Sequence, residues 1–290
     1  VPTIFAVHSN ILDLIGNTPL LKIGLKNNSN IFTKLEKFNP FGSVKDRVAL
    51  SLIEQAEKEA VLHKGDTIIE ASSGNTAIGL ASIALIKGYK MKVVLPEDAS
   101  KERIKLLEKL NVEIMFISKA DWGKNAIEKV KKLAKENNWK FLNQYENPAN
   151  ILAHRKTGIE IIKQLHGIIP DFLVLGIGTG GTITGISFEL KKVFPDLKVI
   201  AIIPKDKIEG IRDINSFTPK ILDKKLIDDF IEITNNDVEE SLSDLIGRGI
   251  LVGKSSAAAF SASKKIAVKN PNKNIITLFP DGIEKYLSYI

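Results

Sequence analysis

Two hydrophobic periods alternate along this chain, and that alternation limits the fold more than any other feature. Short apolar, β-branched runs occur at 66–70, 91–95, 112–117, 172–176, 199–203 and 274–279. Helical periods lie between and around them, at 44–59, 77–87, 101–110, 123–138, 149–165 and 238–248. Near-continuous apolar strands separated by amphipathic helices are the pattern of parallel sheets covered on both faces. The expected fold class is therefore α/β, and a length of 290 residues allows two units of ordinary size. The polar stretch NQYENPAN at 143–150 suggests a boundary between two lobes with a cleft. Open sheets of this class bind ligands beyond the carboxyl ends of their strands, so the loops that follow strands are where chemistry is sought.

Composition removes several alternatives. The chain has no cysteine, which excludes disulfides, thiolate nucleophiles, cysteine-ligated zinc and iron–sulfur clusters. His8, His63, His154 and His166 form no recognisable metal spacing, so no metal is expected. The longest charge-free stretch, 172–188, is interrupted by glycines and falls short of a membrane span. No basic region followed by an apolar run marks the start, so a soluble, cytoplasmic protein is expected. The formal charge of +7 comes from lysines interleaved with acids, as in Lys124-Asn-Ala-Ile-Glu-Lys129. That pattern reads as solvated helix faces rather than a nucleic-acid surface, and a small anionic ligand suits it as well.

Three loops carry chemical information. Gly176-Ile-Gly-Thr-Gly-Gly-Thr182 follows an apolar run and leads into a helix. Glycines let the backbone approach a ligand, helix-start N–H groups point at an anion, and Thr179 and Thr182 add hydroxyls. The loop also matches GxGxxG through Gly176, Gly178 and Gly181, but it lies late in the chain and Asp206 is a poor ribose partner. Glu70-Ala-Ser-Ser-Gly-Asn-Thr76 gathers Ser72, Ser73, Asn75 and Thr76 around one glycine at a helix start. An N-cap needs fewer polar side chains than this, and a carboxylate-binding turn is the preferred reading. Asn39-Pro-Phe-Gly-Ser-Val-Lys-Asp-Arg47 opens the first long helix with Lys45 near the positive end of its dipole. A desolvated lysine there can act as an amine nucleophile or base near neutral pH. An amine, a phosphate cradle and a carboxylate turn together suit a pyridoxal-phosphate enzyme acting on amino acids. Gly249-Ile-Leu-Val-Gly-Lys-Ser255 mimics a Walker loop, but it is one residue short and Ile250 to Val252 read as strand.

In order and spacing, these motifs resemble the cysteine synthase (O-acetylserine sulfhydrylase) family, within the tryptophan-synthase-β-like group of pyridoxal-phosphate enzymes. The likeness runs from Ile15-Gly-Asn-Thr-Pro-Leu20 through NPFGSVKDR, SSGNT, NQYENPAN, GIGTGGT and GKSSAAA to Leu278-Phe-Pro-Asp-Gly282. It implies two lobes, each a mostly parallel twisted sheet flanked by helices, with pyridoxal 5'-phosphate in the cleft. Residues 36–144 would form a smaller, mobile lobe carrying the carboxylate loop, and 1–35 with 145–290 a larger lobe carrying the phosphate loop.

By resemblance, Lys45 is the Schiff-base lysine and Asn75 a partner of the cofactor's phenolic oxygen. Gly178, Thr179, Gly180, Gly181 and Thr182 would hold its phosphate, and Ser255, or Ser256 one residue on, would face its ring nitrogen. Ser72, Ser73, Thr76 and Gln144 would bind the substrate carboxylate, and Arg212 a substrate phosphate if O-phosphoserine is used. Ser72 stands where the family usually has threonine, and Ala77 and Ala257 where glycine is common. The implied reaction converts O-acetyl-L-serine, or O-phospho-L-serine, and sulfide to cysteine by way of an aminoacrylate. A homodimer is expected on the same ground, and the resemblance allows a complex with serine acetyltransferase. Cystathionine β-synthase and serine/threonine dehydratase are the rival activities on this fold. Outside it stand a nicotinamide-dependent oxidoreductase and a catalytically inactive binding or scaffold protein.

Overall fold

A computed structural model describes residues 7–286 apart from Ser73. Strands β1 (Leu20–Gly24), β2 (Asn30–Leu35), β7 (Phe172–Gly176), β8 (Lys198–Pro204), β9 (Asp229–Ile233) and β10 (Asn274–Phe279) form a six-stranded sheet in the order β1-β2-β10-β7-β8-β9. Strands β3 (Thr67–Ala71), β4 (Lys90–Pro96), β5 (Glu113–Ile117) and β6 (Lys140–Phe141) form a second sheet in the order β5-β4-β3-β6. Every pairing is parallel except the β1–β2 hairpin. The class is thus α/β with two mostly parallel sheets. The helices are α1 (Lys45–Lys58), α2 (Asn75–Lys87), α3 (Lys101–Lys109), α4 (Lys124–Asn137), α5 (Ala149–Gln164), α6 (Gly181–Val193), α7 (Asn235–Gly247) and α8 (Lys254–Lys269).

The elements form where local chemistry and burial agree. In β3, Ile68, Ile69, Glu70 and Ala71 are all buried, as a strand covered on both faces requires. Helix α2 ends at Gly88, whose left-handed φ of 79° suits glycine. Helix α7 opens on a reciprocal capping box between Thr234 and Asp237. One reading from sequence is corrected: Ile250 to Val252 are not a strand. The run is bounded by Gly249 and Gly253 and turns at once into α8, which leaves no length for a ladder. Strands β1, β2, β6 and β9 also escaped the periodic reading. Among the described residues no helix is long and apolar enough to cross a membrane.

The packing that matters most for the site is α5 against α6. A Cβ on Gly185 would lie 2.6 Å from the Ile151 carbonyl oxygen and 2.7 Å from His154 Cβ. Only glycine permits this approach, which fixes the start of α6 against the flank of α5.

Candidate active site

The loops after β3, β7 and β10 converge at one cavity, with the start of α1 across from them. Lys45 is its first residue and is half-buried. Two contacts fasten this helix start to the end of β10: the Val44 N–H donates to the Pro280 carbonyl at 2.8 Å, and Ser43 bridges Asp281 in antiparallel fashion. The loop also closes on itself, because the Asp46 carboxylate accepts the Phe41 N–H at 2.7 Å and the Ser43 hydroxyl at 3.3 Å. Burial pushes Asp46 up to about 6. It lowers the Lys45 ammonium below its usual range, with the charges of Asp281 and Glu36 working the other way. A lysine moved toward neutrality in a cavity is equipped to attack or to take a proton.

Two residues further, Arg47 is clamped between carboxylates. Its Nε reaches Glu36 Oε2 at 2.7 Å, and its Nη1 and Nη2 reach the two Glu160 oxygens at 2.6 and 2.8 Å. Lys34, fully buried, completes the cluster at 2.8 Å from Glu160. Those cations hold the Glu160 carboxyl down at about 2 against the desolvation that would raise it. Breaking a buried pair of this kind costs about 3–5 kcal/mol, so the network anchors the helix that carries Lys45.

The glycine loop runs from the end of β7 into α6. Gly180 takes a left-handed φ of 88°, and a Cβ on Gly181 would sit 2.1 Å from Asn150 Oδ1. Asn150 Nδ2 donates to Thr179 Oγ1 at 2.9 Å, and Thr182 Oγ1 lies 3.1 Å from Nε2 of the buried His154. Desolvation, then the charges of Lys45 and Arg47, keep that imidazole neutral. A backbone stripped of Cβ atoms, a helix start and two supported hydroxyls fit a phosphate group.

Lys45, Asn75, Gly178, Thr179, Thr182 and Ser255 all line the one cavity. Gly180 and Gly181 belong to the same turn, and Ser256 lies behind Ser255, fully buried. Two ionisable residues of the lining had no assigned role, Asp281 and Tyr286. Asn75 Nδ2 donates to Asp281 Oδ2 at 2.6 Å, the Tyr286 hydroxyl donates to the same oxygen at 2.5 Å, and Lys285 Nζ donates to Asn75 Oδ1 at 3.1 Å. Both ends of the Asn75 amide are therefore engaged. The motif Leu278-Phe-Pro-Asp-Gly282 signalled this segment without revealing its partners.

The polar turn after β3, expected to bind a carboxylate, stands beside the cavity. Ser72 Oγ accepts the Gly74 and Ala77 N–H groups at 3.3 and 3.1 Å, so it caps α2. Thr76 donates to Gln144 Oε1 at 2.7 Å, which brings two of the expected residues together. Ser73, expected to share this role, lies outside the described residues. Arg212 is not itself among the lining residues, although Gly210 and Ile211 are; it lies 5.2 Å above the Tyr145 ring and 4.8 Å from that of Phe217, and donates to the Tyr145 hydroxyl at 3.2 Å.

The sequence matches the family described as pyridoxal-phosphate dependent enzyme over residues 11–281. The chain belongs to that family. Pyridoxal phosphate is accordingly its cofactor, and the cavity described above has the donors to hold it. The enzyme is 38% identical over 298 residues to a cysteine synthase of Staphylococcus aureus strain Mu50, covering 96% of this chain and 95% of the relative. It is 42% identical over 310 residues to the cystathionine beta-synthase of Apis mellifera, covering 97% of this chain and 61% of that protein. A crystal structure of O-ureido-L-serine synthase superposes with a TM-score of 0.94 at 32% identity, covering 98% of this chain and 95% of that one.

Proposed function

We propose that the enzyme is a cysteine synthase acting in the cytoplasm as a homodimer, replacing the acetoxy group of O-acetyl-L-serine by sulfide. The observation that carries this reading is the meeting, in one cavity, of a lysine amine shifted toward neutrality with a glycine-lined helix start. The Staphylococcus aureus relative, similar over nearly the full length of both chains, supports the choice of reaction.

When bound, pyridoxal phosphate supplies an aldehyde that condenses with amines and a ring that takes up the electron pair left at Cα. In this reading the α6 start and the glycine backbone bind the phosphate, with Thr179 and Thr182 beside them. Lys45 Nζ retains the cofactor between turnovers, removes the proton from the substrate Cα, and returns it once the new Cβ–S bond has formed. Asn75 orients the cofactor after giving up contacts to Asp281 and Lys285. Ser72, Ser73, Thr76 and Gln144 bind the amino-acid carboxylate, and the surrounding loops exclude water. Ser255 offers a neutral hydroxyl on the cavity wall rather than a carboxylate, which favours loss of the β-substituent over transamination or racemisation. We assign residues 36–144 to the smaller lobe, because all four strands of the second sheet fall within them.

The bee relative favours a second reading on the same site, in which a larger thiol such as homocysteine replaces sulfide. Purified enzyme should show a visible cofactor band that borohydride bleaches, and should form cysteine from O-acetylserine and sulfide. A higher specificity constant for homocysteine than for sulfide would move the assignment to cystathionine synthesis. Failure of both thiols with O-acetylserine, O-phosphoserine and serine would refute the reading.

A further inference from the structure

His8, His63 and His166 are exposed, whereas His154 is fully buried on α5, behind the glycine loop. Close packing holds it there, since a Cβ on Gly185 of α6 would meet His154 Cβ at 2.7 Å. The ring stands between two threonines. Its Nε2 lies 3.1 Å from Oγ1 of Thr182, a residue of the cavity lining, and its Nδ1 lies 3.4 Å from Oγ1 of the buried Thr157. Thr157 Oγ1 is also 3.4 Å from the Ala153 carbonyl, one turn back along α5. Desolvation, then the charges of Lys45 and Arg47, keep the imidazole neutral.

A neutral imidazole has one N–H and one lone pair, and a threonine hydroxyl has one proton to give. The three groups therefore form a chain that runs in one of two directions. With the proton on Nδ1, the ring donates to Thr157, Thr157 donates to the Ala153 carbonyl, and Thr182 spends its own proton on Nε2. Thr182 then turns only lone pairs to the cavity, and these repel an anion. With the proton on Nε2, the ring donates to Thr182 Oγ1, and Thr157 turns its proton to Nδ1. The Thr182 proton is then free to point into the cavity. Behind the ring the two directions differ little, because the two acceptors open to Thr157 lie at the same distance. The occupant of the cavity decides between them. An ionised phosphate ester only accepts, so it selects the direction that offers it a donor.

We propose that His154 is a positioning residue of the phosphate site: its Nε2 carries the proton and donates to Thr182 Oγ1, which makes the Thr182 hydroxyl a donor to the cofactor's phosphate. This rests on the reading that Thr182 and the α6 start hold that phosphate. The ring contributes a hydrogen-bond direction and no charge.

The test reads the tautomer directly. In nitrogen-15 spectra of the holoenzyme, His154 is the histidine whose signals stay fixed between about pH 6 and 8, where exposed imidazoles titrate. It should show a protonated Nε2 and a bare Nδ1; a proton on Nδ1 overturns the proposal. Cofactor affinity gives a second readout, through two variants that place one amide differently. His154→Gln carries its amide nitrogen near the position of Nε2 and should keep the dissociation constant of pyridoxal phosphate within about threefold of wild type. His154→Asn carries it near Nδ1, out of reach of Thr182, and should weaken binding about tenfold or more. Equal losses in the two variants, as from a ring needed only for packing, or no loss in His154→Asn, also overturn the proposal. Thr182→Val tests the reading beneath it and should weaken pyridoxal phosphate at least as much as His154→Asn does. Wild-type affinity in Thr182→Val overturns the phosphate reading itself, whichever nitrogen carries the proton.

Discussion

The two sides of the cavity are built on different principles. On the β7–α6 side the groups facing the cavity are largely backbone: Gly178 and the α6 start, with Asn150 and His154 propping the hydroxyls of Thr179 and Thr182 from behind. On the α1–α2 side the groups are side chains that already have partners: Ser72 caps a helix, Thr76 binds Gln144, and Asn75 is shared between Asp281 and Lys285. The first side needs little rearrangement to take an anion. The second must exchange internal hydrogen bonds for ligand ones, and each exchange changes the net energy by only about 1 kcal/mol. With the cofactor on the first side and the substrate on the second, as proposed, this contrast predicts tight cofactor retention and weaker, reversible substrate capture.

The largest effect should come from separating the two sides chemically. Lys45→Ala is expected to lose at least a thousandfold in cysteine formation, about the upper part of what a positioned base and nucleophile supply. The intact glycine side should still bind the cofactor without a covalent bond, so filtration should retain a chromophore that borohydride no longer fixes. Loss of all cofactor binding in that variant would break the contrast.

A second test addresses the side-chain half through stability. Asp46 titrates near 6 when folded against a reference of 3.8. An acid raised in this way contributes stability below pH 4 that disappears as pH climbs through about 6. Asp46→Asn keeps one acceptor for the Phe41 N–H without the charge. It should therefore be more stable than wild type at pH 7.5, by on the order of 2–3 kcal/mol, with the advantage gone at pH 4. Denaturant midpoints at the two values decide it, and equal midpoints at pH 7.5 would mean that the buried carboxylate is fully compensated.

The backbone half is tested by Gly181→Ala. The added Cβ would meet Asn150 Oδ1 at 2.1 Å and must displace it, taking support from Thr179. Overpacking costs about 1–3 kcal/mol, so cofactor affinity should fall about tenfold. At saturating cofactor the Michaelis constant for O-acetylserine should barely move, as a substitution on this side alone implies.

This contrast also explains what could be read before the structure. A phosphate cradle made of backbone requires glycines at fixed places after an apolar run, so GIGTGGT was visible as a string. Lys45 and the polar turn after β3 were visible for the same local reason. The roles of Asp281 and Lys285 were not, because their partner Asn75 is some 200 residues away and nothing local marks the pairing, and Tyr286 joins only through Asp281. The burial of Lys34 and Arg47 was not legible either, because it depends on Glu36 and Glu160 arriving from other elements. Strand β9, DFIEI, lies at a sheet edge with its polar residues interleaved, and β6 is too short to have a period.

The bridge between Ser43 and Asp281 has one more consequence. The amine at position 45 begins a helix that packs on α2, yet its backbone is hooked to the far end of β10, an interior strand of the other sheet. The backbone that carries the proposed catalytic amine is therefore tied to the six-stranded frame. If the smaller sheet swings to enclose a guest, it turns around a stationary pin, and opening to release product need not disturb the atom on which the next cycle depends.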